Sequence, residues 1–260
     1  MNEEDEAVVD QSNNQLVHPG ERVDYFIREQ LDIIQSDQFF TFSVDAILLA
    51  NFASVQRNPK TRLMDFCSGN GVIPLLLSQR TQGTIKAVEI QPELVDMARR
   101  SVTMNGLDEQ IEIIETDLNE LSKPKQLFDM ITCNPPFFVV ESHKDQHKLT
   151  SHRIARHELY VTMDQWIHKA SVLLREKGKL VFVHRPERLD DIFETLLRHQ
   201  FSVHRIKFVH PKAGHNAKSV LVEAIYRGGR QGVKIEPALV VHTEENQYTP
   251  EMQAIYFGEK

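Results

Sequence analysis

The segment Thr61-Arg62-Leu63-Met64-Asp65-Phe66-Cys67-Ser68-Gly69-Asn70-Gly71-Val72-Ile73 passes from a short strand through a glycine turn into a helix start. No other feature restricts the fold as much. A strand entering a helix through residues without a Cβ brings bare backbone and a helix N-terminus up to a ligand. The following units have the same grammar. Thr84–Ile90 reads as a strand carrying Glu89 at its end, and a helix follows from Pro92 to Met104, stopped by Asn105-Gly106. Ile111–Asp117 reads as a strand ending in Asp117. Phe128–Cys133 reads as a buried strand that runs into Asn134-Pro135-Pro136-Phe137. This alternation implies an open α/β sheet.

The ligand can be narrowed from the acids. A dinucleotide fingerprint needs G-x-G-x-x-G, and here either Cys67 or Pro74 breaks it, depending on register. Asp65, just before the turn, is unsuited to a pyrophosphate and suits a cationic ligand such as an amine or a sulfonium. Glu89 lies 20 residues after Gly69, the spacing at which a carboxylate holds ribose hydroxyls. Each acid alone reads as a solvated strand end. Three successive strand ends bearing Asp65, Glu89 and Asp117, on the edge where such sheets bind ligands, favour a ligand site.

Asn-Pro and Pro-Pro are ordinary turn formers, and Phe137 could be core. Two consecutive prolines also cannot extend a sheet ladder, and both have φ fixed. The turn is therefore stiff and presents carbonyl oxygens, with an amide before it and a ring after it. Such an arrangement suits a flat, NH2-bearing group: the Asn134 side-chain oxygen and the Pro135 carbonyl accept its hydrogens, and Phe137 stacks on its plane.

Asp-x-Cys-x-Gly-x-Gly, the Glu89 strand end, Asp117 and Asn-Pro-Pro-Phe, in that order, resemble class I S-adenosylmethionine-dependent methyltransferases that act on an exocyclic or amide nitrogen. The segment 39–52, FFTFSVDAILLANF, and the stretch Ala155-Arg156-His157-Glu158 resemble the bacterial tRNA adenine-N6-methyltransferases that modify adenosine 37 of a valine tRNA. The resemblance runs from about Gln38 to Arg227. It implies a three-layer, Rossmann-like α/β fold with a seven-stranded, mostly parallel sheet and one antiparallel strand. It implies S-adenosyl-L-methionine as cofactor, with the Gly69–Gly71 turn against the methionine part and Asp65 near its ammonium. Glu89 then takes the ribose hydroxyls, Asp117 accepts from the adenine amino group, and Asn134, Pro135, Pro136 and Phe137 hold the target base. Ser43 and Asp45 match the N-terminal signature. The family often has glycine where this chain has Cys67, and a side chain there narrows the turn.

Rival readings remain. Protein-glutamine methyltransferases use a similar turn, usually with Tyr in place of Phe137. Ribosomal guanine-N2 methyltransferases carry Asn-Pro-Pro-Phe, usually followed by His, where this chain has Phe138. A methyltransferase fold can also persist as a non-catalytic RNA-binding protein.

Charge bears on the partner. The net charge is −7, unevenly spread. Residues 1–40 carry ten acids and two bases, whereas residues 143–234 carry 18 Lys/Arg against nine acids and ten of the twelve histidines. That basic half can meet RNA phosphates, and tRNA is the expected partner. His143 and His147 are spaced as on a zinc-bearing helix, but no Cys joins them and no Glu follows His143, so no metal is expected. A basic loop that orders on RNA is the better reading of 143–157. No run of 18 apolar residues and no signal-like N-terminus appears, and two cysteines suggest reduced thiols, so a cytoplasmic protein is expected.

Elsewhere the spacing predicts a helix over 158–174, with Trp166 in the core. It also predicts a strand over 178–184, a helix over 187–198, and strands over 201–209 and 219–226 that close as a hairpin. Residues 1–15 read as a disordered acidic tail, 16–260 as one domain, and 16–55 as an extension packed on the cofactor side.

Overall fold

The computed structural model describes residues 16–39, 41–136, 161–230 and 232–258. Expectations for residues 1–15, for Phe137, for the histidine-rich stretch 143–157 and for Ala155–Glu158 lie outside the described residues. The chain opens with an antiparallel hairpin, β1 (Glu21–Phe26) and β2 (Leu31–Ser36). Helix α1 (Val44–Phe52) follows, then β3 (Arg62–Phe66), α2 (Val72–Ser78), β4 (Thr84–Glu89), α3 (Pro92–Met104), β5 (Ile111–Glu115) and β6 (Phe128–Cys133). The second half comprises α4 (Met163–Leu173), β7 (Leu174–His184), α5 (Leu189–Arg198), β8 (Phe201–Lys212) and β9 (Ser219–Tyr226). Two short strands, β10 (Lys234–Ile235) and β11 (Leu239–His242), and helix α6 (Pro250–Phe257) end the chain.

The main sheet runs β10-β8-β9-β7-β6-β3-β4-β5, with β11 also paired to β8. β9 is antiparallel to both of its neighbours, and the other pairings are parallel. The expected seven strands and single antiparallel strand are present. β10 and β11 extend the β8 edge, so the described sheet has nine strands. Such short strands carry no periodic signal and depend on the edge that receives them.

Adjacent strand residues point to opposite faces, and helices cover both faces. Leu63, Ile85, Met130 and Val181 share one core with α1, α2, α3 and α6. Met64, Phe66, Ile131 and Phe182 share the other with α4 and α5. Trp166 is core, as expected: it is 1% exposed and meets Phe182 edge-on at 5.0 Å. Helix α3 buries Leu94, Met97, Ala98, Ser101 and Val102 at helical spacing, with Pro92 in its first turn. Helix α4 starts at Met163, behind a capping box of Thr162 and Gln165. On β8, Arg205 pairs with the buried Glu223 and with Glu236, and lies 3.9 Å from the centre of the Phe52 ring. That cation ties α1, β9 and the segment after β10 together. Among the described residues no helix is long and apolar enough to cross a membrane.

Gly71 caps α2 with φ 88°, and a Cβ there would lie 3.2 Å from the Ala98 Cβ on α3. Gly71→Ala should lower the unfolding free energy by about 2 kcal/mol from the left-handed backbone and the α2–α3 crowding. The check is a lower urea midpoint at unchanged m-value. An unchanged midpoint would show that α2 and α3 are not in contact here.

Candidate active site

β3, β4, β5 and β6 are parallel neighbours, so their carboxyl ends fall on one edge of the sheet. The chain leaves the sheet there four times, and a cavity of about 370 Å³ opens among the exits. Cys67, Ser68 and Gly69 line it after β3, Glu89 at the end of β4, Asp117 after β5, and Asn134, Pro135 and Pro136 after β6. Six residues expected at the site therefore meet in one cavity: Gly69, Glu89, Asp117, Asn134, Pro135 and Pro136. Ser43 and Asp45, at the start of α1, line it as well. Phe137 lies outside the described residues.

The wall after β3 is strained. Cys67 adopts φ 54°, a left-handed conformation that favours glycine. The Cys67 and Cys133 thiols are neighbours, both cysteines are free, and burial pushes the Cys133 thiol up. Gly69, at φ 57°, has nothing within 4 Å of where a Cβ would sit, so its backbone faces open space. Asn70 is buried and its amide donates to the Ile34 carbonyl at 3.0 Å, anchoring the turn to β2.

Two residues expected in the wall stand behind it. Gly71 serves the α2–α3 contact and does not line the cavity. Asp65 also does not line it: its side chain is fully buried, and Oδ1 accepts from the Thr132 hydroxyl at 2.5 Å. Among the described residues its Oδ2 has no hydrogen-bond partner, and neither does the buried hydroxyl of Ser68, three residues on. Burial, with the Glu89 charge nearby, pushes the Asp65 carboxyl up to about 8 from an ordinary value of 3.8, against the lowering effect of Thr132.

The remaining acids are placed by local hydrogen bonds. Glu89 Oε2 accepts from the Gly69 N–H at 2.9 Å. Oε1 accepts from the N–H groups of Ile90 and Gln91, both at 3.0 Å, and from the Gln91 amide. Asp117 lies past the end of β5, which stops at Glu115, and caps a short 3-10 turn. Its Oδ1 takes the N–H and amide of Asn119. Asp45 accepts from the Ser219 hydroxyl at 2.8 Å. Sequence reasoning missed Arg185, which lines the cavity directly after β7. An exposed arginine after a strand gives no sequence signal that separates it from any solvated cation.

The arrangement joins an acid-flanked pocket over bare backbone to an amide–proline turn one strand away. The methyltransferase small domain family model matches residues 43–208. The tRNA1(Val) (adenine(37)-N6)-methyltransferase of Porphyromonas gingivalis is 27% identical over 238 residues, covering 88% of this chain and 91% of the relative. The Haemophilus influenzae protein of the same name is 27% identical, covering 86% and 93%. A predicted O-methyltransferase from Agrobacterium tumefaciens superposes with a TM-score of 0.64 at 24% identity, over 83% of this chain and 96% of that one. The ribosomal protein L11 methylase of Lactobacillus delbrueckii gives 0.53 at 16%, over 74% and 84%. These two structural likenesses bear on the fold.

Asp65 makes stability depend on pH. Its folded value lies above its unfolded one, so its contribution is fully present below about pH 4 and is lost as pH rises through about 8. Asp65→Asn keeps the shape and removes the titration. Its unfolding free energy should fall less than that of the parent protein between pH 5 and pH 9, as read by denaturant titration. Parallel pH profiles for the two proteins would refute the buried neutral acid.

Proposed function

The chain belongs to the methyltransferase small domain family, and from that premise we propose that it methylates the exocyclic N6 of an adenine in tRNA, position 37 of a valine tRNA being the first candidate. The methyl donor in this reading is S-adenosyl-L-methionine. The observation that carries the reading is the Asn134-Pro135-Pro136 turn on the wall of the same cavity as the Gly69 turn and Glu89. The names of the relatives supply the RNA and the nucleotide.

The residues present fit the donor. Among the described residues the buried Ser68 hydroxyl on the cavity wall lacks a hydrogen-bond partner and would accept from the donor's ammonium, with Asp65 behind the wall as a nearby acid. The uncovered backbone of Gly69 offers a surface on which the methionine part would lie. Glu89 Oε2 takes one donor and keeps capacity for a ribose hydroxyl. Asp117 Oδ2 has no hydrogen bond among the described residues and would accept from an adenine amino group. Ser43 and Asp45 line the same cavity from α1. When bound, the donor supplies an electrophilic methyl group on a sulfonium.

The protein's task is then to raise the nucleophilicity of N6. Its lone pair is delocalised into the ring. Acceptance of both hydrogens, by the Asn134 side-chain oxygen and the Pro135 carbonyl, bends the nitrogen toward tetrahedral and localises the pair. Both acceptors are uncharged dipoles held rigidly by the prolines, and they stabilise the positive charge that grows on N6. Phe137 would stack on the base. The rest is alignment. The spent proton leaves to water, and neither cysteine is needed as a nucleophile. The base must leave its stack to enter, which costs less from a loop than from a duplex.

Incubation with labelled S-adenosylmethionine and, separately, bulk tRNA, a release factor and ribosomal RNA separates the rivals. The expected label is N6-methyladenine in tRNA. Label only in protein, or nowhere, would overturn the reading. Asn134→Ala should lower the transfer rate about 100-fold or more, the scale of losing one preorganised dipole, while donor affinity by calorimetry stays close to that of the parent. Full activity in that variant would remove the proposed mechanism.

A further inference from the structure

We propose that Cys67 and Cys133 form a reversible disulfide across the cavity wall, and that this bond and the methyl donor oppose each other. The effect on the donor rests on the function proposed above, whereas the bond itself does not. The chain has two cysteines, both are free, and they are neighbours at the exits of adjacent parallel strands.

The backbone says why the thiols meet. Phe66 of β3 and Cys133 of β6 are register partners, and Cys67 is one residue further on. Strands lie about 4.8 Å apart and each residue advances about 3.3 Å. The two Cα atoms are therefore about 6 Å apart, inside the roughly 4.4–6.8 Å that a disulfide spans. Alternation along an extended strand would send Cys67 to the face opposite Phe66 and Cys133. Its φ of 54° breaks the alternation, and Cys67 packs against the same core as both of them. A left-handed position costs least with glycine, and here it carries a thiol next to another thiol.

The two thiols differ in access. Cys67 lines the cavity, and Cys133 is fully buried. Burial pushes the Cys133 thiol up, so Cys67 meets an oxidant first and Cys133 completes the bond slowly. The oxidant is a small disulfide of the glutathione kind. The Cys67 sulfur attacks one of its sulfurs, a mixed disulfide forms, and one thiol leaves with the Cys67 proton. The Cys133 sulfur then attacks the Cys67 sulfur and expels the second thiol with its own proton. The protein loses two electrons and two protons, and the small disulfide gains them.

The bridge bears on the site through the turn. Cys133 sits between its register partners Phe66 on β3 and Phe182 on β7, so Cys67 is the residue that adjusts. Ser68 and Gly69 follow it, and the Gly69 N–H donates to Glu89. Moving Cys67 shifts that N–H and the bare Gly69 backbone on which the methionine part of the donor would lie. Whatever factor the bridge takes from donor affinity, the donor takes from bridge formation.

The test equilibrates the full chain in glutathione buffers of graded ratio, with and without saturating S-adenosylmethionine, and counts free thiols. The oxidised parent should have no free thiol, a mass lower by two hydrogens, and no dimer on a non-reducing gel. Its donor affinity by calorimetry should be about tenfold below that of the reduced parent, the scale of one charge-assisted hydrogen bond such as Gly69–Glu89. Saturating donor favours the dithiol, so it should raise the midpoint potential, by about 30 mV for that factor. Dithiothreitol should restore thiols and affinity together. Cys67→Gly should bind donor equally in oxidising and reducing buffer, and Cys133→Ala should carry glutathione on Cys67 as a mixed disulfide. Two free thiols in the most oxidising buffer, or oxidation that only joins two chains, overturns the bridge. A bridge that leaves donor affinity and midpoint unmoved overturns the opposition. A reduced parent that binds no S-adenosylmethionine sinks the proposed function, and the thiol count still decides the bridge.

Discussion

The Glu89 carboxylate is the joint on which the site depends. One oxygen holds the Gly69 N–H in the turn after β3, and the other gathers the first donors before α3. The group is 5% exposed, so its charge is stabilised by those donors and by the amino end of α3 rather than by water. The effect is to fix two loops from different strands against each other. A parallel sheet brings strand ends to one edge, but it does not hold the loops beyond them. Here a single side chain does that, and the open face of Gly69 exists because Glu89 holds the turn.

Backbone and polar costs meet in the same turn. Cys67 takes a left-handed conformation, and Asp65 and Ser68 each bury a polar atom without a partner among the described residues. Such costs also occur singly elsewhere, at Gln30, Lys177 and Arg205 among others, but here they form a clustering within four residues at the cavity wall. The two apolar cores on either side of the sheet, with Trp166, Phe182 and Phe201 fully enclosed, are what make the clustering tolerable. The orphan atoms also have a direction. A buried neutral acid whose ordinary state is anionic is a latent counter-charge, and in the proposed reading a cationic ligand would draw on it.

Much of this was legible in the sequence, for physical reasons that vary along the chain. β6, β9 and α3 have the bounds read from apolar runs and turn residues, because each is buried on a face its periodicity declares. The cavity residues at strand ends followed from a parallel topology, where position along the strand fixes the edge. The β1–β2 hairpin gave no such signal. Its turn uses Gln30 at φ 57° instead of a glycine, and β1 carries polar residues along an exposed edge. β10 and β11 exist because the edge of β8 is available to pair. Asp65 read as a ligand-facing acid because sequence gives the strand end but not the burial. The distinction between lining a wall and standing behind it is one of packing depth, which the one-dimensional pattern does not contain.

Selection of the substrate divides along the same geometry. In the proposed reading the turn after β6 selects a planar amine, and a glutamine amide, a guanine and an adenine all offer one. The polymer must be specified outside the turn, on a protein whose net charge of −7 repels a polyanion at long range. At 0.15 M salt the screening length is about 8 Å, so the acidic residues remote from the cavity mouth exert little force on a phosphate there. Local sign then matters more than the total. Identity of the nitrogen would thus be read at the turn, and identity of the polymer by the charges that lie within one screening length of the cavity mouth.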